Sequence, residues 1–580
     1  MVVGMVTGMG DWVAKARYAS RLPPSMVFGR LRQGITKRYV VPRVWSRWQP
    51  RSSDTDPRSV LRNVALRAFA DAYAVAGDRF SDTVSSLDEG VFIANEQRHE
   101  LPPPACMVWG GQAVVPAMTR WEHDLAYFNY SIPYLEQFQG PALSTISAML
   151  SSLERQADHD EGDLRAFHWS PIALATRIMS LSVALTRLRP EVVDEQRGEV
   201  QVVLEHVLRC RALLSQLVER YLGYNHAVFT EMGWLVSCLV AGEQEEAETA
   251  AERIIDTIDR CVLDDGLWSE RSPAYHVHML LLLTSLRASG ILPAARQQQA
   301  ISLLDRMQAA LVAVVHVDGE IAIFNDAALG DAVSPDKVGW ARPTAPYDLL
   351  LEDAGFFHAG QQKISVIMDA GPLGPRDVSG HGHADFLSLE VCVHGHRFIV
   401  DPGVSSVSPG VERTRTRSAR SHNGPTFTGL EPAEFFGAWG VGRVGRAAFD
   451  GPIVRERGMI RVSGTCEGYE RWGGGHVRRA IELSDQGSLL VRDTWSGASG
   501  YGRRSQFLVP ADWILSRESE SRLVFADTDD RQLIVTVQAG KVAEITTSQF
   551  HLYGPSLPQA ATALVLQPDG DQLIVAIEPR

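Results

Sequence analysis

The sequence predicts a multidomain α+β protein, an N-terminal (α/α) toroid followed by a C-terminal antiparallel β-sandwich. Three observations carry this. The chain has 580 residues, too many for one ordinary core. From Ser59 to about Val315, apolar residues recur at three- and four-residue steps. After Asp318-Gly319 the pattern becomes short β-rich runs separated by Gly, Asp and Pro.

Taken in order, residues 1–55 form an N-terminal arm rich in Arg, Pro and Gly, with RLRQGITKRYV its most basic piece. Residues 56–345 form the helical domain. Its segments VLRNVALRAFADAYAVA, PIALATRIMSLSVALTRL, GEVQVVLEHVLRCRALLSQLVERYL, VFTEMGWLVSCLVAG, ETAAERIIDTIDRCV and HVHMLLLLTSLRASG follow one another with short polar links, as helical hairpins closing into a toroid do. Residues 346–580 supply the strands KISVIMDAG, FLSLEVCV, HRFIVDPG, RRAIELS, SLLVRDTW, RLVFADT, RQLIVTVQ and ALVLQP.

Hydrophobic residues make up 45% and charged residues 22% of the chain, as in a soluble globular protein. The net charge of −13 argues against nucleic acid as a partner. An acidic polymer then requires basic residues gathered locally, and Arg413, Arg415, Arg417 and Arg420 form such a cluster. The six cysteines lack CxxC spacing, so no disulfide framework or cysteine metal site is read. The N-terminus has no basic n-region, and no window approaches eighteen uninterrupted apolar residues. No secretion signal or transmembrane segment is therefore expected, which makes the chain cytoplasmic by sequence with the periplasm left open. Self-association to a homo-oligomer is also left open.

Chemistry concentrates in GHGHADFLSLEVCVHGHRFIVDPG, Gly380 to Gly403, and in RSARSHNGPTF from Arg417. His381, His383, Asp385, Asp401 and His422 offer imidazole and carboxylate, the donors a zinc-type cation takes from a protein. On an extended strand His381, His383 and Asp385 would share a face, with Asp401 on a neighbouring strand and His422 on a loop. This order of HxHxD, a later DPG and R-S-x-x-x-H-N resembles the heparinase II/III-like polysaccharide lyases, the family that also holds exolytic alginate lyases.

Helical-domain motifs extend the resemblance to roughly residues 110–500. RWEHDLAYFNY resembles the family's W-x-x-x-L-x-Y segment, which offers Trp121 and Tyr127 as sugar-stacking groups or, equally, core anchors. Trp169, in HWSPIALATRI, has the same two readings. LGYNHAVFTEMGWL resembles N-N-H-x-x-x-x-x-x-G, and this implies that Asn225 and His226 contact a uronate carboxylate; the competing role for Asn225 is the helix N-cap. Tyr224 stands where a second Asn is usual and Phe229 where many members carry an acid, which raises Glu231 as its replacement. DDGLWSERSPAYHVHM resembles the segment bearing the catalytic tyrosine. Ser272 as N-cap and Pro273 at the first helical position place Tyr275 in the first turn, where the helix N-terminus and Arg271 favour a phenolate. VDGEIAIFNDAALGD resembles D-G-x-x-P-x-x-G-D, with Asn325 and Asp326 as bracing residues. EGYERWGGGHVRRAIEL offers Tyr469, His476 and Arg478 as substrate contacts.

The resemblance implies β-elimination on a uronic-acid-containing polysaccharide, an acidic polysaccharide or oligosaccharide being the expected partner. Tyr275 and His381 are the implied proton carriers, Asn225 and His226 the carboxylate contacts, and Arg271 and Arg417 further substrate contacts. It places Zn2+ on His383, Asp401 and His422, with Asp385 behind them. Two other readings use the same chain differently: a non-heme iron oxygenase binding metal through His383, Asp385 and His422, and an inactive carbohydrate-binding protein of exopolysaccharide assembly.

Overall fold

The structure is a computed structural model that describes residues 7–48, 56–94, 97–107, 109, 120–159, 167–404, 406–473, 475–497, 500–550 and 559–580. The helix-rich N-terminal region is followed by antiparallel sheets, the fold class the two periodicities predict. The chain divides into two compact units. One comprises Met1–Leu22, Val262–Val277 and Arg306–Arg580; the other comprises Pro23–Cys261 and His278–Asp305.

The second unit holds the helical hairpins. Pro171–Leu185, Arg197–Leu217, Tyr224–Ala241 and Gln244–Cys261 reproduce the periodic segments. Helix Pro171–Leu185 is buried on every side, which its lack of charged positions other than Arg177 anticipates. That residue sits inside the core, donating through Nε to the Ala126 carbonyl and through Nη2 to that of His168. The run from Val60 to Ala76 is not one helix: Asn63 interrupts it and caps the next piece, Val64–Tyr73, by accepting from the Leu66 amide. Gly233 lies where Tyr224–Ala241 crosses Pro171–Leu185, and a methyl group built on it would stand 2.5 Å from Ala175 Cα.

The first unit holds the sheets. A five-stranded sheet runs Tyr347–Leu351, Phe356–Gln361, Ile364–Asp369, Leu389–Val393 and His396–Ile399 in sequence order. A nine-stranded sheet contains Met459–Cys466, His476–Ser484 and Leu489–Ser496, whose alternating burial shows one face turned to the core. A four-stranded sheet takes Lys541–Phe550, Gln559–Gln567, Arg503–Pro510 and Thr426–Phe427. One apolar cluster joins the sheets, with Phe357, Val391, Ile481, Trp495 and Phe525 among its buried members.

The expected boundary near residue 345 differs from the observed division. Residues 306–345 belong with the sheets because Ile323 packs with Val400 and Leu508, and because His316 Nε2 lies 2.7 Å from Glu390 Oε2 with both side chains fully buried. Most of the expected arm lies with the helices, while Thr7–Ala19 lies with the sheets, where Tyr18 packs edge-on against Phe436.

Gly233→Ala should lower unfolding free energy by about 1–3 kcal/mol, as overpacking a closed contact does, and urea denaturation would measure it. A second test concerns His358. Burial, with His316 adding to it, holds this imidazole neutral, its value pushed down to about 3 from 6.5. A folded value below the unfolded one favours the fold above pH 6.5, and that contribution is lost as pH falls toward 3. His358→Gln should therefore lose less stability than the parent chain between pH 7 and 5, whatever the other groups contribute.

Candidate active site

Residues 371–388 form an irregular loop between strands Ile364–Asp369 and Leu389–Val393, so His381, His383 and Asp385 are not strand neighbours sharing a face. Two glycines let this loop pack so tightly: a Cβ on Gly382 would meet the Leu373 carbonyl oxygen at 2.0 Å, and one on Gly371 would run into the Arg271 guanidinium. Both histidines instead converge on Asp326. His381 Nδ1 is 2.9 Å from Asp326 Oδ2, and His383 Nε2 is 2.9 Å from Oδ1. The Arg413 guanidinium completes the set by gripping both carboxylate oxygens, its Nη2 at 2.9 Å from Oδ2. Burial alone would push the Asp326 carboxyl up. Arg413 and the two imidazole hydrogen bonds outweigh it and hold the group well below the usual carboxylate range.

The same aspartate reaches the helix Pro273–Ala288. Its carbonyl accepts from Ser272 Oγ at 2.6 Å, and Ser272 Oγ accepts from the Tyr275 amide at 3.3 Å, the N-cap arrangement expected there. Tyr275, half-buried in the first turn, places its ring centroid 4.3 Å from that of His381. On the other side of the imidazole, Nε2 is 3.6 Å from Glu270 Oε1, and Trp439 packs edge-on at 5.1 Å. Tyr275 and His381 are thus neighbours, with the His381 ring fixed through Nδ1 and a carboxylate near its other nitrogen.

Sequence comparison bears on this unit directly. Residues 343–577 match the family model described as "Heparinase II/III-like, C-terminal". They form a heparinase II/III-like C-terminal domain. No curated protein matches the sequence. Among solved structures, a heparinase III is similar to the chain with TM-score 0.65 and 13% identity, over 94% of this chain and 89% of that one. A heparinase III gene product gives 0.54 and 14%, over 87% and 84%. A mutant heparan sulfate lyase from Pedobacter heparinus gives 0.51 and 14%, over 86% and 82%. At these identities the likeness is one of fold.

The three residues considered for zinc all lie in the heparinase II/III-like domain and are buried. His383 turns Nε2 to Asp326, leaving its buried Nδ1 without a partner; burial pushes its value down to about 3, so the imidazole is neutral. His422 turns Nδ1 to Asp401 at 2.9 Å, leaving its buried Nε2 without a partner. Asp401 also accepts from Ser388 Oγ and the Gly403 amide. Burial, together with the charges of neighbouring carboxylates, pushes Asp385 well up and raises Asp401. Two unpartnered imidazole nitrogens beside surplus buried carboxylates are a donor set that fits a divalent cation. The donor atoms of His383, Asp401 and His422 do not draw together as they stand. Among the described residues, the group of three lying within 4.8 Å of one another is His396, Asp527 and Asp529, where Arg531 already pairs with both aspartates.

Several expected substrate contacts in the first unit are structural instead. Arg271 is 2% exposed, and its guanidinium is taken by the Ala354 and Pro372 carbonyls and the Asp369 carboxylate. Arg417 is buried, donating to the Gly382 and Ala438 carbonyls, and burial followed by Arg413 pushes it down to about 9. Tyr469 is buried edge-on against Phe427. His476, at the start of its strand, is exposed. The arginine cluster is no surface patch: Arg413 and Arg417 point inward, and Arg415 pairs with Glu412.

The helical unit places the remaining residues. Helix Tyr224–Ala241 begins one residue before Asn225, with Gly223 as its cap, so Asn225 sits in the first turn and is not the N-cap. Its Oδ1 accepts from the His226 amide at 2.7 Å, and His226 Nδ1 is 2.6 Å from Glu219 Oε2 while the side chain remains 40% exposed. Glu231 pairs with Arg220 and Arg253, which commits it to the scaffold. Half-exposed Trp121 stacks on His99 at 4.3 Å, and half-buried Tyr127 packs near Phe167. Trp169 is buried against Trp45, a core anchor.

The residues that sequence reasoning undervalued are Asp326, Glu270 and Trp439. Asp326 had a readable signal, since a lone charge in the apolar run IAIFNDAAL must be paired if it is buried. Replacing it tests its role: Asp326→Asn leaves the buried Arg413 charge without its partner and should lower stability by about 3–5 kcal/mol in urea denaturation.

Proposed function

We propose that the chain is a polysaccharide lyase that cleaves an acidic, uronate-containing polysaccharide by β-elimination. The observation that carries this reading is the pairing of Tyr275 with His381, the imidazole being oriented through Nδ1 by an aspartate that stays ionised. The heparinase II/III-like domain supports it, as do the fold likenesses to a heparinase III and a heparan sulfate lyase.

The chemistry sets what the residues must do. The proton at C5 of a uronate becomes removable only when the charge on its carboxylate is offset, and Asn225 and His226 take that role in this proposal. Tyr275 removes the C5 proton, the electron pair forms the C4–C5 double bond, and the C4–O4 bond breaks. The leaving oxygen then receives a proton from Tyr275 or His381. A tyrosine at a helix N-terminus loses its proton at less cost than one in water, because the exposed amide dipoles favour the anion.

Zn2+ on His383, Asp401 and His422 belongs to the same proposal. When bound it would supply positive charge among carboxylates that burial otherwise drives toward protonation. His383 and His422 would each offer the nitrogen that the protein leaves unpartnered, their other nitrogens being held by Asp326 and Asp401. Elemental analysis of protein purified without added metal should find about one such ion per chain; metal-free, fully folded protein would contradict it.

Tyr275→Phe removes only the phenolic oxygen and should leave the fold intact. Its kcat should fall by about 10² to 10⁴ with little change in KM, measured on a panel of uronate polymers by the ultraviolet absorbance of the conjugated product. A variant that keeps most of its activity would exclude Tyr275 as the proton carrier.

A further inference from the structure

The first unit contains a cavity of about 890 Å³ whose wall is unusually basic for so acidic a chain: six arginines line it, and Glu467 and Glu470 are the acidic groups among its lining residues. Three of the six already have protein partners, among them Arg471, which donates through Nη2 to the Glu431 carbonyl at 3.0 Å. Arg17, from the helix Thr7–Ala19, pairs with Glu434 at 2.9 Å, and Arg21 donates to the Val441 and Gly442 carbonyls. These contacts fasten the N-terminal segment onto the cavity rim.

Arg376, Arg443 and Arg446 differ. All three are exposed, and their guanidinium groups have no hydrogen bond or ion pair among the described residues. The backbone at Arg443 and Arg446, however, is closely packed and hydrogen-bonded. In the GVGRVGR stretch from Gly440, a Cβ on Gly442 would come within 2.9 Å of Ala14, and one on Gly445 within 2.6 Å of the Phe386 ring. The Glu434 amide bonds the Arg443 carbonyl, and the Glu467 amide bonds that of Arg446. Like charges are crowded here: after burial, Arg376 is among the causes lowering Arg21, and Arg443 and Arg17 among those lowering Arg471. Positive charge held in place without a counter-charge attracts an anion.

Two of the segments that line the wall also carry or adjoin residues of the proposed proton-carrying pair's surroundings. Arg376 lies five residues before His381 on one loop, and Gly442 and Arg443 lie three and four residues after Trp439, the ring packed against His381 and 42% exposed. We infer that this cavity is a binding site for the anionic groups of an acidic saccharide chain, with Arg376, Arg443 and Arg446 taking carboxylate or sulfate groups on sugars beyond the one being cleaved. The choice of a saccharide rests on the function proposed above; the demand for an anion does not.

The test uses the full chain and the triple variant Arg376→Ser, Arg443→Ser, Arg446→Ser. Equilibrium binding of fluorescent heparan sulfate, with neutral dextran as control, is followed across a salt series, and turnover of short uronate oligosaccharides is measured separately. The triple variant should bind heparan sulfate about tenfold more weakly at low salt, with a shallower salt dependence, while turnover of the shortest cleaved oligosaccharide is unchanged. Equal binding by parent and variant, or binding of dextran as tight as that of heparan sulfate, would overturn the inference. Arginine-dependent binding in a chain that cleaves no uronate polymer would uphold the cavity and remove the lyase reading instead.

Discussion

The buried carboxylate of Asp326 is the constraint on which the site depends. A charge removed from water must be met by several hydrogen bonds, and here Arg413, His381 and His383 supply them. Those partners come from distant parts of the sequence, so satisfying one carboxylate fixes the loop 371–388, the segment Val411–Arg417 and the residue before the helix Pro273–Ala288 in a single arrangement. The backbone closes the same knot. The Asp326 amide donates to the His381 carbonyl, and Asn325 Oδ1 accepts from the His383 amide. Moving any one of these segments would leave a buried donor or acceptor without its partner.

Much of the architecture was legible because periodicity reports burial. Alternation in MIRVSGTC and HVRRAIELS, and the three-to-four spacing in the helices, identify the element type before any contact is known. The division of the chain was less legible. Val262–Val277 belongs with sheets that start some seventy residues later, and no local pattern announces a contact of that range. In the site, Tyr275 and His381 could be named from their motifs, whereas Arg271 and Arg417 were read as substrate contacts because a sequence cannot say which way a guanidinium points. Both turn inward to backbone carbonyls, a use of arginine that is open to any buried loop with carbonyls to satisfy.

The distribution of arginine sharpens this point. The dense run at 413–420 looks like a polyanion patch, yet its first and third arginines serve the interior, where Arg413 neutralises Asp326 and Arg417 lies over Phe435 at 4.1 Å. The sparse arginines at 376, 443 and 446 face the cavity instead. Charge density along a sequence therefore misplaces the basic surface, because short-range clustering is what a helix-and-loop needs to tie down a buried acid, while a ligand surface is assembled from loops that meet only in the fold.

One carboxylate also sets two different tautomers. Because Asp326 remains ionised, each imidazole directs an N–H toward it, but His381 does so through Nδ1 and His383 through Nε2. The remaining nitrogens consequently open onto different surroundings. His381 Nε2 faces Glu270 beside the Tyr275 ring. His383 Nδ1 is sealed in the protein near His422, with ring centroids 5.6 Å apart, a setting in which no proton is needed and a neutral lone pair persists. Neutralising Asp326 would release both rings at once, so the placement of His381 and that of His383 are coupled through a single buried charge.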